Sequence, residues 1–317
     1  MLLRHEPVTL AEVHAARKRI EGRAVRTPLV RLNVDDAPAE IYLKLENLQP
    51  IGSFKIRGAA NALAQMEPSE LADGVWTASA GNMAQGLAWC ARERGIPCTV
   101  VVPDTAPAAK LDAIKRLGAA TVEVSHEEFF ETFATRHRED MRGTFVHAFS
   151  DPRMMAGNGT IALEILEDLP EVDVIVGPYG GGGLTCGVAA AAKSANARVK
   201  VFACEPETAA PLHHSLKAGT PTQPPFTRTF IDGAGGPRVY PEMFELAQRV
   251  LDGGLTVSVD ETAAAIRLLI ERNHVVAEGA GALAVAAALK GVAGTGRVCC
   301  VVSGGNIDAS VLAEILA

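Results

Sequence analysis

The chain has 317 residues, 48% of them hydrophobic and 21% charged, and a formal net charge of −7. That apolar content excludes a disordered chain, which could not offset its ordering entropy. The negative balance argues against nonspecific nucleic-acid binding, while a small anion held by local dipoles stays possible.

Met1 to Pro7 carries two charged residues and no apolar run, so no secretory signal is expected there. Thr9-Leu-Ala-Glu12 is a capping-box pattern that predicts a helix over residues 9–21. Short strands are expected at 29–32 and 41–45, with a helix after Ser53. From Val75 strands and helices alternate: a strand at 75–78, a helix running to Arg94, then strand 98–102, helix 110–117, strand 121–124 and helix 127–141. A second series follows, with a helix at 160–167, strand 172–177, a helix through Ala192 and strand 199–204. Residues 216–241, rich in Pro, Gly and Thr, read as loops over the site. Helices at 260–273 and 281–289 and a strand at 298–302 complete the series. This alternation predicts an α/β fold of two open parallel-sheet lobes, with the ligand in the cleft at the strand C-terminal ends. The mildly apolar run 277–289 is too short for the ~20 residues of a membrane span. Cys90, Cys98, Cys186, Cys204, Cys299 and Cys300 form no C-x-x-C pair and read as reduced core residues of a cytoplasmic protein.

Three segments carry chemistry. Gly180, Gly181, Gly182 and Gly183 lie between an apolar strand and a helix, so four amides without side chains can close on one phosphate. A tight turn without a ligand is the plainer alternative. The G-x-G-x-x-G and Gly-Lys-Ser/Thr patterns are missing, which favours a lone phosphate monoester over a nucleotide. Lys55, at a helix start, is flanked by Phe54 and Ile56, which suggest burial rather than the surface position usual for lysine. Burial and a positive helix end both disfavour its ammonium form and leave a nucleophilic amine. An amine plus a phosphate cradle points to pyridoxal phosphate. Ser303, in Ser-Gly-Gly-Asn after the last strand, offers a hydroxyl that can bond a pyridine nitrogen without charging it. A neutral ring favours β-elimination over deeper carbanion chemistry; an ordinary strand-end turn is the alternative reading.

Together these segments resemble the fold-type II (tryptophan-synthase-β-like) pyridoxal-phosphate enzymes, and among them the serine/threonine dehydratase and serine racemase group. The matching stretches are Lys44-Leu-Glu-Asn-Leu-Gln-Pro50, Gly52-Ser-Phe-Lys-Ile-Arg-Gly58, Ser79-Ala-Gly-Asn-Met-Ala-Gln-Gly86, Gly157-Asn-Gly-Thr-Ile-Ala-Leu-Glu164, Gly180-Gly-Gly-Gly-Leu184 and Ser303-Gly-Gly-Asn306. The resemblance implies that Lys55 holds the cofactor as an imine and moves protons, with Phe54 against the ring and Asn82 on its phenolic oxygen. It gives the phosphate to residues 180–183 and the ring nitrogen to Ser303. Ser79, Ala80, Gly81, Asn82 and Met83 would receive the substrate carboxylate, and Glu278 matches a pocket glutamate. Arg136 falls where some relatives face substrate, but reads here as a solvated helix charge. The implied organisation is a large cofactor-binding domain (1–73 with 151–317) and a small substrate-loop domain (74–150), in a homo-oligomer, dimer or tetramer. The implied reaction converts a small β-hydroxy amino acid to a 2-oxo acid and ammonia, without nucleic-acid or membrane partners.

Three departures shape that expectation. Ala80 stands where racemases carry a second serine as acid/base, which favours elimination over racemisation. Met83 replaces a loop histidine and makes that side of the pocket apolar. Glu205-Pro206 matches a cation-binding turn, but the acid expected six residues on is Pro211, so no metal is expected. No regulatory extension is expected after Ser303, a point of resemblance to the short degradative dehydratases.

Overall fold

The computed structural model describes residues 4–317; Met1, Leu2 and Leu3, part of the stretch read for a signal, lie outside the described residues. In chain order the strands are β1 (Leu29–Arg31), β2 (Glu40–Lys44), β3 (Val75–Ala78), β4 (Cys98–Pro103), β5 (Ala120–Val124), β6 (Thr144–Phe145), β7 (Val174–Pro178), β8 (Lys200–Pro206), β9 (Gly253–Val257) and β10 (Arg297–Val301). The helices are α1 (Leu10–Ile20), α2 (Lys55–Leu63), α3 (Pro68–Leu71), α4 (Asn82–Arg92), α5 (Ala108–Arg116), α6 (His126–Thr135), α7 (Pro152–Asp168), α8 (Gly183–Ala195), α9 (Pro211–Ala218), α10 (Pro241–Val250), α11 (Val259–Asn273), α12 (Gly279–Leu289) and α13 (Ala309–Leu316).

Two sheets form, ordered β1-β2-β10-β7-β8-β9 and β5-β4-β3-β6. Every pairing is parallel except the antiparallel edge β1–β2. Successive strand residues face opposite sides, and both sides of the larger sheet are apolar. Ile175, Val201, Cys299 and Val301 join the core under α1, α2, α7 and α8, whereas Val174, Val176, Val298 and Cys300 join the core under α11 and α12. Cys299 and Cys300 thus point to opposite faces. All six cysteines are free and buried, and burial pushes the Cys299 thiol up to about 12. The Ala-rich run 277–289 is α12 with its N-terminal approach, buried through Ala288. Among the described residues no helix is long and apolar enough to cross a membrane.

Some elements differ from the sequence expectation for identifiable reasons. Helix α7 starts at Pro152, capped by the Asp151 side chain on the Arg153 amide, and runs through Gly157 and Gly159. Low glycine propensity hides this stretch, but packing overrides it. A Cβ on Gly157 would lie 2.4 Å from the Arg57 carbonyl oxygen, and one on Gly159 3.0 Å from that of Gly187. Glycine there lets α2, α7 and α8 approach backbone to backbone. Helix α6 stops at Arg136, which turns left-handed (φ 58°). Strand β9 opens on two glycines that mask its pattern, yet pairs along β8.

Candidate active site

Four helix N-termini meet at the C-terminal ends of β2, β3, β7 and β10. Lys55 is the first residue of α2, Asn82 the first of α4, Gly183 the first of α8, and Glu278 caps α12. Each supplies unpaired amides and a partial positive charge, so the sequence builds an anion-seeking centre despite its negative total.

Around Lys55 the pieces interlock. The Phe54 amide donates to the Ser303 carbonyl oxygen at 3.0 Å, and Ser53 bridges Gly304. The Glu278 amide donates to the Gly304 carbonyl oxygen at 3.0 Å. A Cβ on Gly304 would fall 2.5 Å from Glu278 Oε1, so any larger residue there would have to displace the Glu278 carboxylate. Asn82 Nδ2 donates to Glu278 Oε1 at 2.7 Å, and Asn306 Nδ2 donates to Asn82 Oδ1 at 2.7 Å. Lys55, Phe54, Asn82, Glu278 and Ser303 therefore form one cluster. Lys55 Nζ donates to the Ala148 carbonyl oxygen at 2.8 Å. Burial, partly offset by the Glu278 charge, lowers its pKa to about 8. Burial, reinforced by Asp232, raises the Glu278 carboxyl to about 7, against the pull of its Asn82 hydrogen bond.

The glycine turn lies next to this cluster. Lys55 meets Ala148, and the neighbouring Phe149 covers Gly181 and Gly183: a Cβ on Gly181 would lie 1.9 Å from the Phe149 ring. On the other side, Gly180 packs against the Gly233 carbonyl oxygen, in the irregular segment read as loops over the site. Gly182 takes φ 91°, a left-handed conformation that only glycine adopts without strain. Among the described residues the amides of Gly180, Gly181, Gly182 and Gly183 find no acceptor. Four free donors at one helix start fit a phosphate monoester.

The substrate loop is less uniform. Ser79, Ala80, Gly81 and Asn82 are half-buried, and the Gly81 amide donates to Ser79 Oγ at 3.2 Å. Met83 turns into the main core, 2% exposed. Arg136 departs from expectation: it is no solvated helix charge but the left-handed residue closing α6. Its guanidinium donates to Ser150 Oγ at 2.9 Å and lies 3.6 Å from Glu242. Glu205 is fully buried and caps α9, accepting from the Leu212 and His213 amides at 3.1 and 2.8 Å. Its carboxylate is committed to a helix end.

Two features escaped residue-by-residue reading. One is Asn306, whose Nδ2 also donates to the Ile51 carbonyl oxygen at 2.9 Å and ties the last strand's turn to the segment before Lys55. The other is a buried charge cluster behind α2. Arg57 grips Glu46 through Nε and an NH2 group (2.8 and 2.9 Å) and Glu164 through both NH2 groups (2.7 and 2.8 Å). Lys44 Nζ donates to Glu164 and to the Thr27 carbonyl oxygen, each at 2.6 Å. Burial opposes the charge on both Arg57 and Glu46, yet their pairing outweighs it, raising the one pKa and lowering the other. These residues sit inside three of the motifs, but their pairing is tertiary.

A half-buried amine of lowered pKa beside a phosphate cradle is the site of a pyridoxal-phosphate enzyme. A family profile described as pyridoxal-phosphate dependent enzyme matches residues 20–304, and the chain belongs to that family, with its type II fold. It is 42% identical over 314 residues to an L-threonine ammonia-lyase of Thermotoga maritima, a match covering 98% of this chain and 78% of the relative. It is 38% identical over 317 residues to the catabolic L-threonine dehydratase of Escherichia coli, covering 98% and 96%. Maize serine racemase superposes with a TM-score of 0.89 at 30% identity, covering 98% of this chain and 97% of that one.

One pH dependence follows directly. Covalent attachment of added pyridoxal phosphate to the apo protein needs the neutral Lys55 amine. Its observed rate should rise roughly tenfold per pH unit and level off above about 8. A lysine of ordinary pKa would keep the rate climbing to about 10. Stopped-flow absorbance distinguishes the two.

Proposed function

We propose that this protein is a dehydratase that converts a β-hydroxy amino acid such as threonine or serine to a 2-oxo acid and ammonia. Lys55 would hold the cofactor covalently, Phe54 would pack against its ring, and Asn82 would reach its phenolic oxygen. Gly180, Gly181, Gly182 and Gly183 would hold the phosphate. The Ser303 hydroxyl, facing the ring nitrogen, would leave it uncharged. When bound, the cofactor supplies an electron sink that acidifies the substrate's α-carbon.

The chain's own residues do the rest. Ser79, Ala80, Gly81, Asn82 and Met83 form the loop that takes the substrate carboxylate, on the Ser79 hydroxyl and backbone amides at the start of α4. Glu278, bonded to Asn82, closes the pocket beside it. Lys55 Nζ, as a neutral amine, would take the α-proton and return it to the departing β-hydroxyl, which leaves as water. The unsaturated product hydrolyses to the 2-oxo acid and ammonia. The hydrogen bond from Lys55 Nζ to the Ala148 carbonyl oxygen orients the amine.

The observation that carries this reading is the contrast between Lys55 and Ala80. The first is a half-buried amine whose pKa is lowered to about 8. The second, in the substrate loop, has only a methyl group. Racemisation is the second reading, favoured by the likeness to maize serine racemase; it needs a proton donor on the other face of the substrate, which Ala80 cannot be. The deciding experiment incubates the holoenzyme with threonine, serine, 3-hydroxyaspartate and phenylserine. It follows the 2-oxo acid and the chirality of recovered amino acid together. Formation of 2-oxo acid is expected, and inversion without any 2-oxo acid would overturn the proposal.

The same reading places cofactor binding in residues 1–73 and 151–317 and the substrate loop in 74–150. It also makes the protein a homo-oligomer, a dimer or tetramer. Val25, Leu48 and Val276, 47, 52 and 43% exposed, support an interface, because Gln49 and Asn47 bond the backbones of Val25 and Val276. Six free buried thiols suit a cytoplasmic setting.

A further inference from the structure

We propose that His147 is a positioning residue for this site: its Nδ1 shapes the turn that presents the Ala148 carbonyl to Lys55 and lays Phe149 against the glycine turn. The inference rests on the reading of Lys55 and residues 180–183 as the cofactor site. Residues 146–151 join β6 to α7 and belong to neither strand nor helix. The Ser150 amide donates to His147 Nδ1 at 2.9 Å, and the Phe149 amide donates to the same atom at 3.3 Å. Among the described residues no backbone carbonyl takes either amide. One ring nitrogen therefore closes the chain around Ala148, where a regular element would use backbone acceptors.

Two groups that the site uses lie within that turn. The Ala148 carbonyl oxygen accepts from Lys55 Nζ at 2.8 Å, and Phe149 packs on Gly181 and Gly183. His147 thus acts through its neighbours on both the amine and the phosphate cradle. Accepting at Nδ1 requires a neutral ring with its proton on Nε2. Burial, reinforced by the charges of Arg136, Lys55 and His5, lowers the His147 pKa to about 3, so the acceptor persists at neutral pH. The plainer alternative is aromatic packing. The ring is 4% exposed, with its centroid 4.7 Å from that of Phe133 and 4.6 Å from that of Phe149. Packing needs a ring of that size but no lone pair. The two buried amides need the lone pair, because a stranded donor loses its full desolvation free energy.

The test sets two variants against the wild-type protein. His147→Phe keeps an aromatic ring and loses the acceptor. His147→Asn loses the ring but keeps an acceptor near the same place, since its side-chain oxygen hangs on Cγ as Nδ1 does. Stopped-flow absorbance gives the rate at which added pyridoxal phosphate attaches to each apo protein, on the high-pH plateau where Lys55 is neutral. Steady-state assays give kcat on the best β-hydroxy amino acid. The Phe variant should lose roughly tenfold or more in both, whereas the Asn variant should stay within about threefold of wild type. A packing role predicts the reverse order. A Phe variant with wild-type rates would overturn the proposal, as would an Asn variant that loses as much as the Phe variant or fails to fold. If the Phe variant does not fold, the Asn variant decides alone: near-wild-type rates support the proposal and a loss of about tenfold overturns it. Wild-type protein that takes up no pyridoxal phosphate on Lys55 would instead overturn the cofactor-site assignment, and the proposal with it.

Discussion

Lys55→Ala should lower turnover on the best β-hydroxy amino acid by about three orders of magnitude or more, since one group both holds the cofactor and moves the α-proton. The loss should fall on kcat rather than on cofactor retention. The glycine turn does not depend on the lysine side chain: its closest packing partners are Phe149, Tyr179 and Gly233. Pyridoxal phosphate should therefore still bind, noncovalently and more weakly. The fold should survive as well, because among the described residues the side chain makes a single hydrogen bond, to a backbone carbonyl, and α2 is held elsewhere. Steady-state kinetics with equilibrium dialysis of the cofactor checks both halves. A variant that keeps a tenth of the wild-type kcat would rule out Lys55 as the proton carrier.

Arg57→Met should reduce stability by about 3–5 kcal/mol, the usual consequence of stripping one partner from a buried ion cluster. Arg57, Lys44, Glu46 and Glu164 are at most 5% exposed, and two cations there balance two anions. Without Arg57, two carboxylates face one ammonium in a water-free interior. The methionine fills much of the space but satisfies none of the bonds to Glu46, Glu164, Thr160 or the Val25 carbonyl oxygen. Replacing Glu46 by Gln in the same chain should recover part of the loss, since it removes one of the stranded charges. Denaturant unfolding of the two variants measures this. A single variant within 1 kcal/mol of wild type would show the cluster to be energetically idle, below the ~3 kcal/mol expected. The cluster also fixes the first turn of α2, two residues beyond Lys55, so surviving Arg57→Met protein should show reduced kcat.

The alternation of β3, α4, β4, α5 and β5 was readable because buried parallel strands and Ala-rich helices leave opposite periodicities in the sequence. Lys55, the glycine turn and Ser303 were readable because each sits where a strand or helix ends and backbone groups lie unpaired. Three things were not. The start of α7 was hidden by Gly157 and Gly159, whose value lies in contacts with α2 and α8 far along the chain. The direction of Arg136 depends on a left-handed turn and on Ser150 and Glu242, which no local pattern encodes. The burial of Met83 depends on how α4 rolls against α2. Motif spacing brings candidates to the cleft; which atoms meet there is decided by tertiary packing.

The most direct measurement saturates the protein with pyridoxal phosphate, reduces it with borohydride and maps the peptides by mass spectrometry. The expected result is one phosphopyridoxyl adduct, on Lys55. An unmodified residue 55, or an adduct on another lysine, would contradict the assignment of this cleft as the active site.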